Sequence, residues 1–399
     1  MLSTGGNIRR FYACAVLGGL TFFHGILGFH MKAVGFTYTQ ILCLGALSEA
    51  LCFLLEVPTG ALADVYGLRK TVTVGHAISA GSCFLVAFFP ASYAAFLGWA
   101  VLSAVCSSLN SGSWEALQFE SLRRVGRETE YATLRGRLIA IAFAASALSG
   151  LAGGALCDAV GFPAIMVLGG LTGTVMTVII AGMEEPLGAR ENHRVGAVRH
   201  TAECLAVIRA RRALATVVVL GGVVLAAGGL VGSYAQPCLE RVGTRSYTVV
   251  GAVSFALTAT LALCAWLAGS LQRLGGNRPL LAAVCGAPVL AFVGLGALRG
   301  WALLCPLALA KAGTGLAEPV LSDLVARHTP QGKLATVLSA QNMVFSLVFA
   351  AWSALLGVGL DRAGPLPTFL ASAVLLVAIL ALGVARLRRP TEPTQRAGA

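Results

Sequence analysis

Ionisable residues are few in this sequence, and several of them fall inside long apolar runs. Glu115 and Glu120 lie five residues apart in the stretch from Ser111 to Glu120, and Glu318 and Asp323 repeat that spacing later in the chain. Lys311 precedes Glu318 by seven residues, which on a helix puts both on one face. Glu49 and Glu56 share a face for the same reason, and His24 sits deep in the first apolar run. Charge inside hydrocarbon is costly, so each of these is a functional candidate by default. A buried carboxyl is also the group suited to taking up and releasing a proton near neutral pH. Glu115, the deeper of its pair, is expected to exchange a proton, with Lys311 or Glu318 as its partner. Glu120 lies about 7.5 Å further along the axis and is expected to face Arg123, Arg124 or Arg135. Glu49 and His24 are cavity candidates, and Glu56 is expected to support a turn with Pro58 and Gly60. A buried lysine can bind an anionic group, pair with an acid such as Glu49 or Glu115, or titrate; pairing or titration is the favoured reading of Lys311. Aromatic residues at helical spacing are more often packing, so Trp114, Phe22, Phe23, Trp266, Phe345 and Trp352 are weaker candidates.

The elements that must hold these residues follow from composition. The chain is 57% hydrophobic and 12% charged, with mean hydropathy +0.81. Soluble domains carry about 25% charged residues, so a soluble globular fold is excluded. Apolar stretches long enough to cross a bilayer recur from Arg10 to Leu387. They are continuously apolar rather than alternating, which predicts helices and not a barrel. Twelve spans are expected, at 11–31, 37–62, 70–90, 93–120, 133–157, 160–183, 213–236, 245–270, 279–298, 300–326, 333–359 and 365–387. The net charge of +12 has a placement that argues against nucleic acid as its partner. Lys and Arg collect in alternate loops (Arg69/Lys70, Arg123 to Arg137, Arg190 to Arg212, Arg273/Arg278, Arg327/Lys333), which puts both termini in the cytoplasm. Glu184 to Arg212 is the one long polar stretch, a linker between 1–183 and 213–389. Its part from about Val198 to Arg211 is expected to form an amphipathic helix on anionic lipid, and 390–399 a disordered tail. The eleven cysteines include no CxxC pair and no His at metal-ligand spacing, and read as packing residues.

The chain repeats itself at half-length. Gly60-x-Leu62-x4-Gly67-x-Arg69 after span two returns as Gly269-x-Leu271-x4-Gly276-x-Arg278 after span eight. Gly112-x2-Glu115-x4-Glu120 returns as Gly315-x2-Glu318-x4-Asp323, and Asp158-x2-Gly161 as Asp361-x2-Gly364. Three pairs in one order make two related halves. The stretch Glu56 to Lys70 resembles, at Gly60, Leu62, Asp64, Gly67 and Arg69, the cytoplasmic loop between helices 2 and 3 of major facilitator superfamily transporters. Val65 and Leu68 stand where that family usually has basic residues. The resemblance covers essentially the whole chain and points to bacterial drug and metabolite efflux members. It implies an all-α membrane protein with twelve transmembrane helices in two six-helix pseudo-symmetric halves, binding substrate near the midplane. It also implies a cytoplasmic gate built from Gly60, Asp64, Gly67 and Arg69 with Gly269, Gly276 and Arg278, and gate charges Glu120, Asp323, Arg123 and Arg327. Asp64 would sit against the positive end of a neighbouring helix. Drug antiporters of the superfamily commonly have Arg where this chain has Ser108, and a Gly-Pro element where span five has Ser149 to Gly154 without a proline.

No P-loop, GxSxG or HExxH occurs, so neither ATP hydrolysis nor enzymatic chemistry is expected. No cofactor or metal is expected either. The expected function is a proton-coupled antiporter that expels a hydrophobic or amphipathic small molecule, because the spans hold few Asn and Gln. Its partners would be that substrate, protons and the lipid bilayer, with no nucleic acid, and it would act as a monomer. The short loops and Ala/Gly/Leu/Arg-rich composition suggest a bacterial inner membrane. A proton-coupled importer of a small metabolite is the alternative, and a non-transporting membrane sensor or scaffold is the rival from another class. Direction of flux separates the first two, and ligand binding without flux marks the third.

Overall fold

The structure, a computed structural model, describes residues 5–186, 212–329 and 334–388. Most of the expected linker, including its amphipathic helix, and the tail 390–399 lie outside the described residues. The first half contains α1 (Gly5–Gly19), α2 (Leu27–Ala33), α3 (Tyr38–Tyr66), α4 (Leu68–Phe88), α5 (Tyr93–Asn110), α6 (Ser113–Arg123), α7 (Tyr131–Val160) and α8 (Phe162–Ala181). The second contains α9 (Arg212–Ala235), α10 (Tyr247–Gly275), α11 (Asn277–Ala297), α12 (Leu304–His328), α13 (Leu334–Arg362) and α14 (Pro365–Arg388). Short 3-10 turns precede α7, α10 and α12. No strand occurs among the described residues.

Eleven of the apolar stretches are long enough to cross a membrane as they stand. The twelfth crossing is the pair α1 and α2, which the sequence presents as one continuous span at 11–31. The expected continuity of span one is therefore corrected: the chain is unwound between Gly19 and Leu27. Span four, expected unbroken over 93–120, is divided into α5 and α6 at Gly112, whose φ of +72° is open to glycine and strained for other residues. Its counterpart Gly315 stays helical inside α12 and lies against the Leu261 carbonyl of α10.

Local signals set several helix starts. Thr37 and Gln40 form a capping box at the head of α3, and Ser92 and Ser246 cap α5 and α10. Four tight reversals, at Gly67, Gly161, Gly276 and Gly364, use positive φ at matching places in the two halves.

The halves meet where α3 packs along α13 and α7 along α10. Apolar clusters reach across this seam at the end of the molecule remote from the termini, here called the far end. Phe23, Ile26, Phe96, Phe162 and Ile165 of the first half cluster there with Leu239 and Val250 of the second. The glycine run of α7 lets backbones touch: Gly150 lies against Gly25, and a side chain at Gly154 would meet the Tyr247 carbonyl of α10. Replacing Gly154 by Val is expected to destabilise the protein by about 1–3 kcal/mol through overpacking, seen as a lower Tm of the purified protein in detergent. Gly81→Ala, where nothing lies within 4 Å, serves as the neutral comparison.

Candidate functional site

The far end is closed by polar contacts between the halves, and these begin at the unwound segment. Gly19 O accepts from Ser149 Oγ at 3.2 Å and Leu20 O from Thr172 Oγ1 at 3.4 Å, both within the first half. His24 O accepts from Gln236 Nε2 at 2.6 Å, while Gln236 Oε1 accepts from Gly28 N at 2.8 Å. Gly25 O accepts from Ser254 Oγ at 2.6 Å. Backbone groups released by the missing helical turn are thus taken up by side chains, two of them from the second half. His24 itself lies in this segment, its ring exposed and bonded to Thr21 Oγ1 at 3.0 Å. His30, buried, bonds Tyr247 Oη at 2.9 Å and stacks on Phe162.

Two aspartates clasp the far end with matching geometry. Asp158, at the end of α7, accepts from the Tyr247 and Thr248 backbone N–H groups at 2.9 and 2.8 Å. Asp361, at the end of α13, accepts from Tyr38 N and Thr39 N at 3.0 and 2.7 Å. Each carboxylate therefore sits on the unpaired N–H groups and positive end of a helix in the other half. The sequence shows these two only as marks of the repeat; their recurrence at equivalent span ends was the available signal.

Moving inward, the last polar bond between the halves runs from Ser346 Oγ to Glu49 Oε2, 3.0 Å. On the terminal side of that bond, no hydrogen bond or ion pair between described residues joins the halves. The seam opens there into two hollows that share Asn342. One, of about 230 Å³, is lined by Glu56, Ser107, Ser108 and Ser111 of the first half and by Ser346 of the second. The other, of about 390 Å³, is lined by Thr314, Glu318, Ser322, Gln341 and Phe345 of the second half. The break at Gly112 brings Ser111 to this wall. Glu56, read from sequence as a turn support, is a wall residue instead, because its helix α3 continues to Tyr66.

The remaining sequence candidates distribute as follows. Glu115 Oε1 pairs with Arg135 at 2.5 Å, so it is not the partner of Lys311 or Glu318 in this conformation. Arg135, one of three arginines considered for Glu120, is held by Glu115; Glu120 pairs with Arg123 at 3.4 Å. Lys311, half-buried in α12, has no hydrogen bond or ion pair to a described residue, so of the two favoured readings, pairing and titration, pairing is not seen in this conformation. Glu318 is exposed into the larger hollow. Asp323 accepts from Gln272 Nε2 at 2.9 Å. Of the aromatic candidates, Phe345 lines the hollow, Trp266 is 79% exposed on the outer face, and Trp352 is buried and donates to Ser372 Oγ.

The expected gate motif is bonded within its own half. Arg69 donates to the Ala181 and Met183 carbonyls at 3.1 Å each, and its backbone N–H to Glu185 Oε2 at 3.1 Å. Gly67 leaves room for the Glu185 carboxylate, which lies 2.9 Å from where a side chain would begin. The turn between α3 and α4 is thereby fastened to the end of α8 rather than across the seam. In the second half Gly276 turns the chain, Gly269 O accepts from Arg273 and Arg278 is exposed. Gly60 and the side chains of Asp64 and Arg327 lie outside what is described. Among the described residues no group of His, Cys, Asp and Glu is placed to hold a metal ion.

The family model of the Major Facilitator Superfamily matches residues 11–353. The chain belongs to that superfamily. No curated protein matches the sequence significantly. Among solved structures, a variant of the nucleoside transporter NupG superposes with TM-score 0.80 at 11% identity, covering 96% of this chain and 100% of that one. A POT family transporter in complex with 5-aminolevulinic acid gives 0.68 at 12% identity, over 96% and 97%. A bacterial homologue of the human lysosomal transporter Spinster, inward-facing and occupied, gives 0.64 at 15%, over 95% of each chain. At these identities the likeness is one of fold. The twelve helices in two pseudo-symmetric six-helix halves are the fold of this superfamily, and the protein is a multi-pass membrane transporter of that type.

The aspartate clasps yield a direct test by amide hydrogen exchange. Asp158→Asn is expected to speed exchange at the first turn of α10 and not of α3, and Asp361→Asn the reverse. The change should be roughly two- to fivefold, matching the ~0.3–1 kcal/mol of a carboxylate at a helix N-terminus.

Proposed function

We propose that this transporter moves a small amphipathic solute by alternating access, exporting it from the bacterial cytoplasm in exchange for protons. The observation that supports this reading is the one-sided seam: polar bonds close the far end as deep as Glu49–Ser346, and a solute-sized hollow lies beyond. With the termini in the cytoplasm, as the loop charges favour, the hollow faces inward. The many hydroxyl and amide groups on its wall suit an amphipathic solute better than a wholly hydrophobic one. That same polarity favours import of a small metabolite as the second reading. Division into a first half at 1–183 and a second at 213–389, joined by a cytoplasmic linker, belongs to the same proposal.

Proton coupling is assigned to Glu49 ahead of Glu115. Glu115 is tied to Arg135 within its own half, so its pairing does not bridge the seam. Glu49 makes the innermost bond between the halves, so a proton there acts on the contact that must break when the far end opens. Energised inside-out vesicles with a pH-sensitive dye test this. Addition of a transported amphipathic compound should release protons in the wild type, and Glu49→Gln should abolish that release while keeping solute–solute exchange. Coupling unchanged in Glu49→Gln would remove Glu49 from the mechanism; uptake into right-side-out cells in place of vesicle loading would reverse the direction.

A further inference from the structure

Glu318 lines the larger hollow, and Lys311 stands one helical turn beyond the lining residue Thr314. Lys311 lies on the face of α12 that continues through Thr314, Glu318 and Ser322, and its Nζ comes within 3.2 Å of where a side chain on Gly232 would begin. Gly232 lies one turn along α9 from the lining residue Gly229. A larger residue there would take the space of the ammonium group. Neither Lys311 nor Glu318 has a hydrogen bond or ion pair to a described residue. The seven residues between them correspond to about 10.5 Å of helix, and side chains on one helix lean in the same direction, so the two do not reach each other. Gln341, only 4% exposed, lines the same hollow with its Oε1 buried and unpartnered. Phe345 adds an apolar wall.

An unpaired ammonium, an unpaired carboxylate at fixed spacing and an orphaned amide acceptor between apolar surfaces are the complement of a dipolar solute. We propose that the second-half hollow is a subsite for a zwitterion, with the solute's carboxylate on Lys311 and its ammonium on Glu318. Gln341 Oε1 would accept a further N–H, and the solute's carbon chain would lie on Phe345. Because the two groups are set apart along α12, the solute's own charges would stand several bonds from one another. This rests on the transporter reading above and names the substrate class of its site. A zwitterion would answer both charges at once without changing the net charge of the site.

The test uses the full-length protein in proteoliposomes, with binding read by thermal shift and flux by radiolabel. The probes are glycine, γ-aminobutyrate and ε-aminocaproate, the single-charge analogues butyrate and butylamine, and the neutral dye Nile red. At least one of the longer zwitterions should bind roughly tenfold more tightly than butyrate or butylamine. Lys311→Met should erase the preference over butylamine, and Glu318→Gln the preference over butyrate. Lys311→Met should also raise the Tm of the ligand-free protein, since it removes an uncompensated charge at similar volume, which shows that the variant folds. Equal binding of all probes, or zwitterion preference untouched in Lys311→Met, would overturn the proposal. Flux of Nile red without charge discrimination would defeat the zwitterion site and leave transport standing. Zwitterion binding without any flux would defeat transport and leave the site, and the absence of both would overturn both.

Discussion

A backbone inside hydrocarbon must satisfy its own hydrogen bonds, and the longest departure from that rule among the described residues lies in the first crossing. Between Gly19 and Leu27 the first crossing is unwound, and side chains supply what the helix no longer does. Ser149 and Thr172 come from the same half, Gln236 and Ser254 from the other. The unwound segment is therefore held in shape partly by the half it must part from. Glycines of α7 make this possible, since only bare backbone lets Gly25, the Phe22 carbonyl and α10 crowd against one helix. Closure of the far end and the break in helix one are a single structural fact.

Around that seam the two halves are alike in plan and different in detail. The aspartate clasps obey the pseudo-symmetry: Asp158 and Asp361 each end a helix and each cap the start of a helix opposite. The paired glycines do not. Gly112 breaks its crossing and turns Ser111 to the cavity, whereas Gly315 stays helical and lies close against α10. The first-half wall carries serines and Glu56, and the second-half wall carries Glu318, two hydroxyls and the amides. Such a division lets one half grip a solute while the other moves across it.

Charge placement follows the same division of labour. Acids and bases near the terminal end are paired within one half, as Arg69 with Glu185, Arg124 with Glu184 and Glu115 with Arg135. These pairs stiffen a half without tying it to its partner. Lys311 and Glu318, which pair with no described residue, stand at and beside the hollow. Glu49 crosses the seam further in than the aspartate clasps, and a hydroxyl rather than a cation answers it.

Much of this was legible in the sequence because hydrophobic length and loop charge are local properties. Twelve crossings, their approximate ends, the internal repeat and the superfamily all follow from runs of residues and their spacing, and the chain bears them out. What no local pattern could say was which acid would meet which base. Glu115 finds Arg135, Glu56 joins the cavity wall, and Lys311 is left alone, because each outcome depends on how helices distant in sequence are rotated against one another. The breaks at Gly19–Leu27 and Gly112 were hidden for a related reason: the residues there are as apolar or small as their neighbours, and only partners from other helices make the unwound backbone tolerable. Sequence determined what crosses the membrane and how often; packing decided which polar groups were satisfied and which remained free to bind.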